Sequence, residues 1–173
     1  MPLPPAPQYE AMPQQTSWAA QPVGFVDAVT TCLRKYVDFS GRASRSEFWF
    51  FVLAYWVASS IPVIGPFLGL ALLLPDLAVS ARRLHDTGKS GWWQVLPNGL
   101  FLAGAVVFLS AAATAAGAAG SLTEGSDEAA IEAAAASVAG TLPIVLLLWL
   151  AAIIVTIVLF CKKGQDERNQ YDD

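Results

Sequence analysis

The sequence predicts an all-α polytopic membrane protein: four transmembrane helices arranged as two hairpins, preceded by an amphipathic interfacial helix. Three observations carry this. Of the 173 residues, 55% are hydrophobic and only 14% charged, against about 25% charged in an average soluble domain. The stretches without charge are long enough to cross a bilayer. The Lys and Arg residues fall in three clusters separated by uncharged or acidic loops, the pattern that the positive-inside rule gives a chain whose two ends lie on one side. A chain of this length is one domain. Its formal charge of -4 and lack of a basic run argue against nucleic acid as a partner.

Residues 1–22 hold Pro2, Pro4, Pro5, Pro7, Pro13 and Pro22 among Gln and Ala, with no Lys or Arg. That composition predicts a disordered Pro/Gln-rich tail or a proline-rich docking segment, not a secretory signal peptide. From Phe25 to Val37 the apolar residues Phe25, Ala28, Val29, Cys32, Leu33, Tyr36 and Val37 recur at helical spacing, which suits a helix lying on the membrane surface or packed against the ends of the spans.

Residues 48–81 carry a single charge, Asp76. As one helix this stretch would run about 51 Å, too long for a hydrocarbon core of about 30 Å. Ser59, Ser60, Pro62, Gly65 and Pro66 interrupt it, so two spans are expected, at about 47–64 and 66–82, joined by a tight turn. The third span is expected at 92–116 and the fourth at 140–160, with Pro143 in its first turn. Together these make a membrane domain over 23–164, with an extracytoplasmic loop at 117–139 and a cytoplasmic tail at 165–173. In that loop Ser126 is placed to cap a helix that begins with Asp127 and Glu128 and runs into the alanines 133–136, carrying the last span beyond the bilayer.

Charge placement tests the count. Arg34, Lys35, Arg42 and Arg45 precede the first span, Arg82, Arg83 and Lys89 follow the second, and Lys162, Lys163 and Arg168 follow the fourth. The loop before the fourth span is acidic, with Glu124, Asp127, Glu128 and Glu132. The N-terminus, the central turn and the C-terminus are therefore expected in the cytoplasm.

Two polar segments meet at that face. In the first, from Asp38 to Trp49, Ser44 and Glu47 form an S-x-x-E capping box and Gly41 permits a bend. In the second, from Arg82 to Trp93, the basic residues complement a helix C-terminus, Gly88 suits a left-handed cap, and Ser90 caps the next helix. Helix capping and topogenic charge account for much of this. What they do not require is so many hydrogen-bonding groups in so short a turn. Arg42, Arg45, Arg82, Arg83, His85 and Asp86 are therefore a candidate site for an anionic headgroup or a partner, with Asp38 and Glu47 in support.

Asp76, inside the second span, is either a functional intramembrane acid or a group satisfied by a partner near the interface, such as Arg83 on its own helix face. Gly88-Lys89-Ser90 lacks the upstream glycine of a phosphate-binding loop, since Arg83 stands there. One histidine and the two distant cysteines Cys32 and Cys161 leave too few ligands for a zinc or copper site. No catalytic residue, cofactor or metal is predicted, and the cysteines are expected to be free thiols. Gly65-x-x-x-Gly69 matches a helix-contact pattern, weakened by the expected position of Gly65 in the turn.

The stretches FSGRASRSEFW at 39–49 and RRLHDTGKSGWW at 82–93 resemble the bacterial inner-membrane proteins of the domain of unknown function family 805. A third family feature, an Asn-aromatic-Gly ending, is kept in part as Asn169-Gln170-Tyr171-Asp172, without its glycine. The resemblance runs from Phe25 to Asp172, with the proline-rich leader and the acidic loop as additions. It implies a multi-span protein of the bacterial inner membrane and no particular activity.

The reading that follows is a non-enzymatic membrane protein whose cytoplasmic face binds an anionic lipid headgroup or a protein partner. The alternative is a small transporter or channel component that uses Asp76, oligomerising to enclose a pore. The third is an intramembrane lipid-modifying enzyme with His85 and Asp86 as acid and base. Expected partners are membrane lipids, a protein or a second copy of the chain.

Overall fold

The computed structural model describes residues 20–120 and 128–172. The described residues form five α-helices and no strand: α1 (Phe25–Arg34), α2 (Arg45–Ser59), α3 (Gly65–Asp86), α4 (Val95–Gly120) and α5 (Glu128–Phe160), with a 3-10 turn, Gly91–Gln94, leading into α4. The all-α class read from the sequence holds.

The α1 helix ends at Arg34, three residues before the expected end at Val37, and the Lys35 N–H closes its last turn on Thr31 O. Its stripe buries Ala28 and Cys32 against α2 and α3. Phe25, Val26 and Leu33 stay exposed.

Ser44 caps α2 as expected, its hydroxyl accepting from the Glu47 N–H at 3.2 Å. The reciprocal half of the box is absent, because the Glu47 carboxylate turns inward to Arg82. The turn from α2 to α3 lies where the sequence placed it. Gly65, expected within the turn, is the first residue of α3. A Cβ there would fall within 3 Å of Ser59 O, and one at Gly69 would lie 3.2 Å from Ser59 Oγ. The two glycines thus let α2 and α3 close on each other within the chain.

The expected loop at 117–139 is largely helical. The α4 helix continues to Gly120 and α5 starts at Glu128, because the Ala-rich flanks have the highest intrinsic helix propensity. Ser126, expected to cap that extension, and Asp127, expected in its first turn, lie outside the described residues. Pro143 consequently sits deep inside α5 and not in a first turn, at the loss of one backbone hydrogen bond.

Two helical segments, 91–117 and 132–160, are long and apolar enough to cross a membrane. The α5 helix would run about 50 Å and α4 about 39 Å, whereas α2, with 15 residues, rises only about 22 Å. The α4 and α5 helices pack along each other. A Cβ on Gly104 would fall within 3 Å of the Trp149 indole, whose Nε1–H points to Phe101 O at 3.4 Å. Their outward faces are apolar, with Leu102, Leu109, Leu146, Leu147 and Leu150 exposed.

The interior at the other end is charged. Arg82 and Arg83 are each 1% exposed and Asp86 2%, beside a small apolar core of Cys32, Ala43, Phe48, Phe51, Val79, Leu84, Leu159 and Phe160. Phe48 and Phe160 stack with centroids 4.3 Å apart, joining the end of α5 to the start of α2.

Candidate functional site

The two polar segments do come together, at the end of the bundle where α2 begins and α3 and α5 finish. Gly41 and Gly88 take φ values of +75° and +72°, conformations that favour glycine. Gly88 closes α3 with a Schellman motif: the Lys89 N–H bonds Leu84 O and the Gly88 N–H bonds His85 O, both at 2.9 Å. The Ala43 N–H then donates to Arg82 O at 3.0 Å, tying one turn to the other. Ser90 caps the following 3-10 turn.

Each buried arginine is engaged by the protein's own groups. Arg82 Nη1 donates to Glu47 Oε1 at 2.7 Å. Cys32 Sγ lies 3.8 Å from the same carboxylate and 3.9 Å from Arg82 Nη2. Burial pushes the Cys32 thiol up to about 12, the Glu47 carboxylate adds to the rise, and Arg82 opposes it. Arg83 Nε donates to Phe160 O at 3.1 Å, Nη2 to Lys162 O and Nη1 to Asp86 Oδ2. It thereby caps the C-terminal end of α5 with a charge of the favourable sign. Burial lowers the basicity of Arg83 and raises the Asp86 carboxyl from its ordinary value. Asp86 opposes the first shift, while the Ala20 N–H, Arg83 and Arg42 oppose the second.

Arg42 reaches the C-terminal tail. Its Nη1 donates to Gln165 O at 2.8 Å and its Nη2 to Glu167 O at 2.7 Å, and it pairs with the Asp172 carboxylate. Asp86 Oδ1 lies 4.0 Å away and also accepts from the Ala20 N–H at 2.9 Å, so the described end of the proline-rich leader is docked here.

His85 stacks on Tyr171, centroids 3.8 Å apart and planes within 3°. Its Nδ1 faces Gly41 O at 3.3 Å, and burial lowers its pKa, partly offset by that carbonyl. It makes no bond to Asp86, so the two residues expected as an acid–base pair point to different partners. Asn169 Nδ2 donates to His85 O at 3.0 Å, and the Gln165 N–H to Asp86 O at 2.8 Å. A Cβ on Gly164 would collide with the Asp86 carboxylate.

Arg45 is exposed, close enough to Arg83 for its charge to oppose protonation there. Asp38 lies apart, within 3.9 Å of Lys35 and accepting from the Ser40 N–H. Asp76 stands away from the cluster. It has no hydrogen bond or ion pair among the described residues, and Arg83, which shares its helix face, turns instead to Asp86 and the end of α5. Both cysteines are free, Cys32 buried and Cys161 exposed.

Sequence reasoning noted the Asn169–Asp172 ending as a family feature but gave the tail no place in the site. The signal was present in Asn169 and Tyr171, which fasten it: the Tyr171 N–H donates to Asn169 Oδ1 at 2.9 Å, and the Asn169 N–H to Asp172 Oδ2 at 2.7 Å.

The comparisons with known proteins agree with the resemblance drawn from the motifs. A family model described as "Protein of unknown function (DUF805)" matches residues 58–173, taking in the Arg82–Trp93 segment and the tail. The inner membrane protein YhaI of Escherichia coli K12 is 41% identical over 76 residues, 37% of this chain and 64% of YhaI. The inner membrane protein YhaH of the same strain is 35% identical over 80 residues, 37% of this chain and 66% of YhaH. A third relative, the uncharacterized protein YiiR, is 32% identical over 71 residues, 34% of this chain and 48% of its own length. The chain thus spans less than two thirds of each of these relatives. No solved structure matches it. With a family model covering 116 of 173 residues, the apolar helices α4 and α5, and inner membrane proteins as relatives, the chain belongs to the DUF805 family.

Proposed function

We propose that this chain is a non-enzymatic, multi-pass protein of the bacterial inner membrane whose cytoplasmic face receives an anionic lipid headgroup at Arg42 and Arg45. In this reading the α2–α3 and α4–α5 hairpins supply four spans over a membrane domain at 23–164. The α1 helix lies at the interface, and the N-terminus, the central turn and the tail are cytoplasmic. The outward apolar faces and the grouping of basic residues at one end of the bundle support that arrangement.

The observation that carries the binding role is the group of oxygens gathered around Arg42: the tail brings the Asp172 carboxylate and two carbonyls, and the Asp86 carboxylate of α3 lies 4.0 Å away. A planar guanidinium that gathers several oxygens is suited to a phosphate. Here the chain's own terminal segment stands where a headgroup would bind. Arg82 and Arg83, with Glu47 and Asp86, position the receptor, and exposed Arg45 adds a second cation. Binding then proceeds by exchange of Asp172 for the headgroup.

The test is native mass spectrometry of protein in neutral detergent, titrated with phosphatidylglycerol or phosphatidylcholine. Phosphatidylglycerol is expected to be retained preferentially, several-fold more by Asp172→Asn and several-fold less by Arg45→Ala. Equal retention of both lipids by all three proteins would leave the arginines with a structural role only. A co-purified protein lost from Arg45→Ala would put a protein partner in place of the lipid. A transport role for Asp76 is the second reading, favoured by a carboxylate that has no hydrogen bond or ion pair among the described residues. Flux in proteoliposomes that vanishes in Asp76→Asn is its test.

A further inference from the structure

Between α2, α3, α4 and α5 lies a cavity of about 520 Å³, within the 300–1,000 Å³ range of small-molecule sites. It is separate from the cytoplasmic cluster, and two of its lining groups are acceptors left without donors. Asp76 is one, with no hydrogen bond or ion pair among the described residues. Gln94 is the other: its Oε1 is buried and unpartnered. An acceptor withdrawn from water without a donor is destabilising, the more so when charged, so the half-buried Asp76 and the buried Gln94 Oε1 lining one cavity mark a place where a donor is missing. The remaining walls are rich in aromatic rings, among them Trp49, Tyr55, Trp56 and Phe101, and no Lys, Arg or His lines the cavity.

A single carboxyl, a second free acceptor and aromatic faces make a chemistry complementary to an organic cation that carries N–H donors. The carboxylate supplies a charge-assisted bond, the amide oxygen a second acceptor, and the rings cation–π contact. An anionic ligand would meet Asp76 with like charge, and a hydrocarbon chain alone would leave both acceptors bare. We infer that this cavity is a binding site for a lipophilic amine in its ammonium form, whose N–H groups bridge Asp76 and Gln94 while its apolar body fills the aromatic chamber. The site stands independently of the headgroup reading, since neither Arg42 nor Arg45 borders it.

The experiment is calorimetric titration of the full chain in nanodiscs of zwitterionic lipid with dodecylamine, dodecanol and dodecanoate, subtracting empty nanodiscs. Saturable binding of dodecylamine alone is expected, weakened at least ten-fold by Asp76→Asn and several-fold by Gln94→Leu. Dodecanol binding as tightly as the amine, or an unchanged affinity in well-folded Asp76→Asn, would overturn the assignment. Should that variant fail to insert, wild-type protein answers: dodecylamine is expected to protect Asp76 from a hydrophobic carbodiimide, read by mass spectrometry of the labelled peptide. Labelling undiminished by the amine would overturn the proposal.

Discussion

Glu47 Oε1 and Arg82 Nη1 lie 2.7 Å apart with both side chains almost wholly buried, joining the first turn of α2 to the last turns of α3. Cys32 of α1 closes over the pair. Removing one partner of such a pair leaves a buried charge without a counterion, at about 3–5 kcal/mol. Glu47→Ala and Arg82→Ala should each lower thermal stability in detergent accordingly. Maleimide should reveal the local opening: in the wild type only Cys161 reacts, and in either variant Cys32 reacts as well. A Cys32 that stays protected in both variants would show that the pair does not hold α1 down.

The tail depends on close contact with Asp86. Gly164→Ala puts a methyl group against that carboxylate, and overpacking of this kind costs about 1–3 kcal/mol. Trypsin cleavage after Arg168 should accelerate several-fold in this variant while the helices α2 to α5 stay resistant. An unchanged cleavage rate would mean that the tail is already detached in solution.

Docking of the tail should also depend on pH through His85. Burial lowers the folded-state pKa of His85 below its ordinary value of about 6.5, so the unfolded or undocked state binds the proton more readily. The contribution of His85 is therefore complete above about pH 6.5 and is lost as the pH falls through the lower folded value. Cleavage after Arg168 with an acid-tolerant protease of similar specificity should rise as the pH falls below about 6.5, and His85→Phe should abolish that dependence. A flat profile in the wild type would exclude His85 as the titrating group.

Gly104 faces the Trp149 indole too closely for any side chain. Gly104→Val should force α4 and α5 apart at a cost of about 1–3 kcal/mol, read as a lower melting temperature in detergent. Gly99 has open space at its Cβ position, and Gly99→Ala should leave the melting temperature unchanged or higher.

Orientation is open to a direct check. Val63 is 82% exposed in the turn between α2 and α3, and Cys161 is exposed at the end of α5. In spheroplasts an impermeant thiol reagent should label Val63→Cys from outside and reach Cys161 only after permeabilisation. Labelling of Cys161 in intact spheroplasts would reverse the orientation proposed above.

What the sequence made legible was local. The Ser44 cap, the left-handed Gly41 and Gly88 and the Ser90 cap are properties of a few neighbouring residues, and periodicity marked α1 to within three residues. The partner of Glu47 lies 35 positions away and the tail acceptors of Arg42 more than 120, and no spacing rule connects such groups. The arginines looked like snorkelling or ligand-seeking cations because charge patterns show where a cation sits in the chain, not which distant carbonyl will reach it. Gly65 and Gly69 looked too close to a turn to act as a helix contact. They work there because the turn is tight enough to bring Ser59 against them.

The acceptors of Arg42 and Arg83 have a temporal meaning. Gln165 follows Arg42 by 123 residues, which at 5–20 residues per second is about 6–25 s of synthesis. Until residues 160–172 leave the ribosome, neither guanidinium can reach its acceptors at the end of α5 or in the tail, and in the orientation proposed above both stay available as cations to hold their segments on the cytoplasmic side during insertion. In that reading the side chains that orient the chain while translation proceeds become buried fasteners once the tail arrives. A transcript that stops short of the tail would therefore yield helices left open at the end where α3 and α5 finish, a form that cellular proteases could distinguish from the protein with its tail in place.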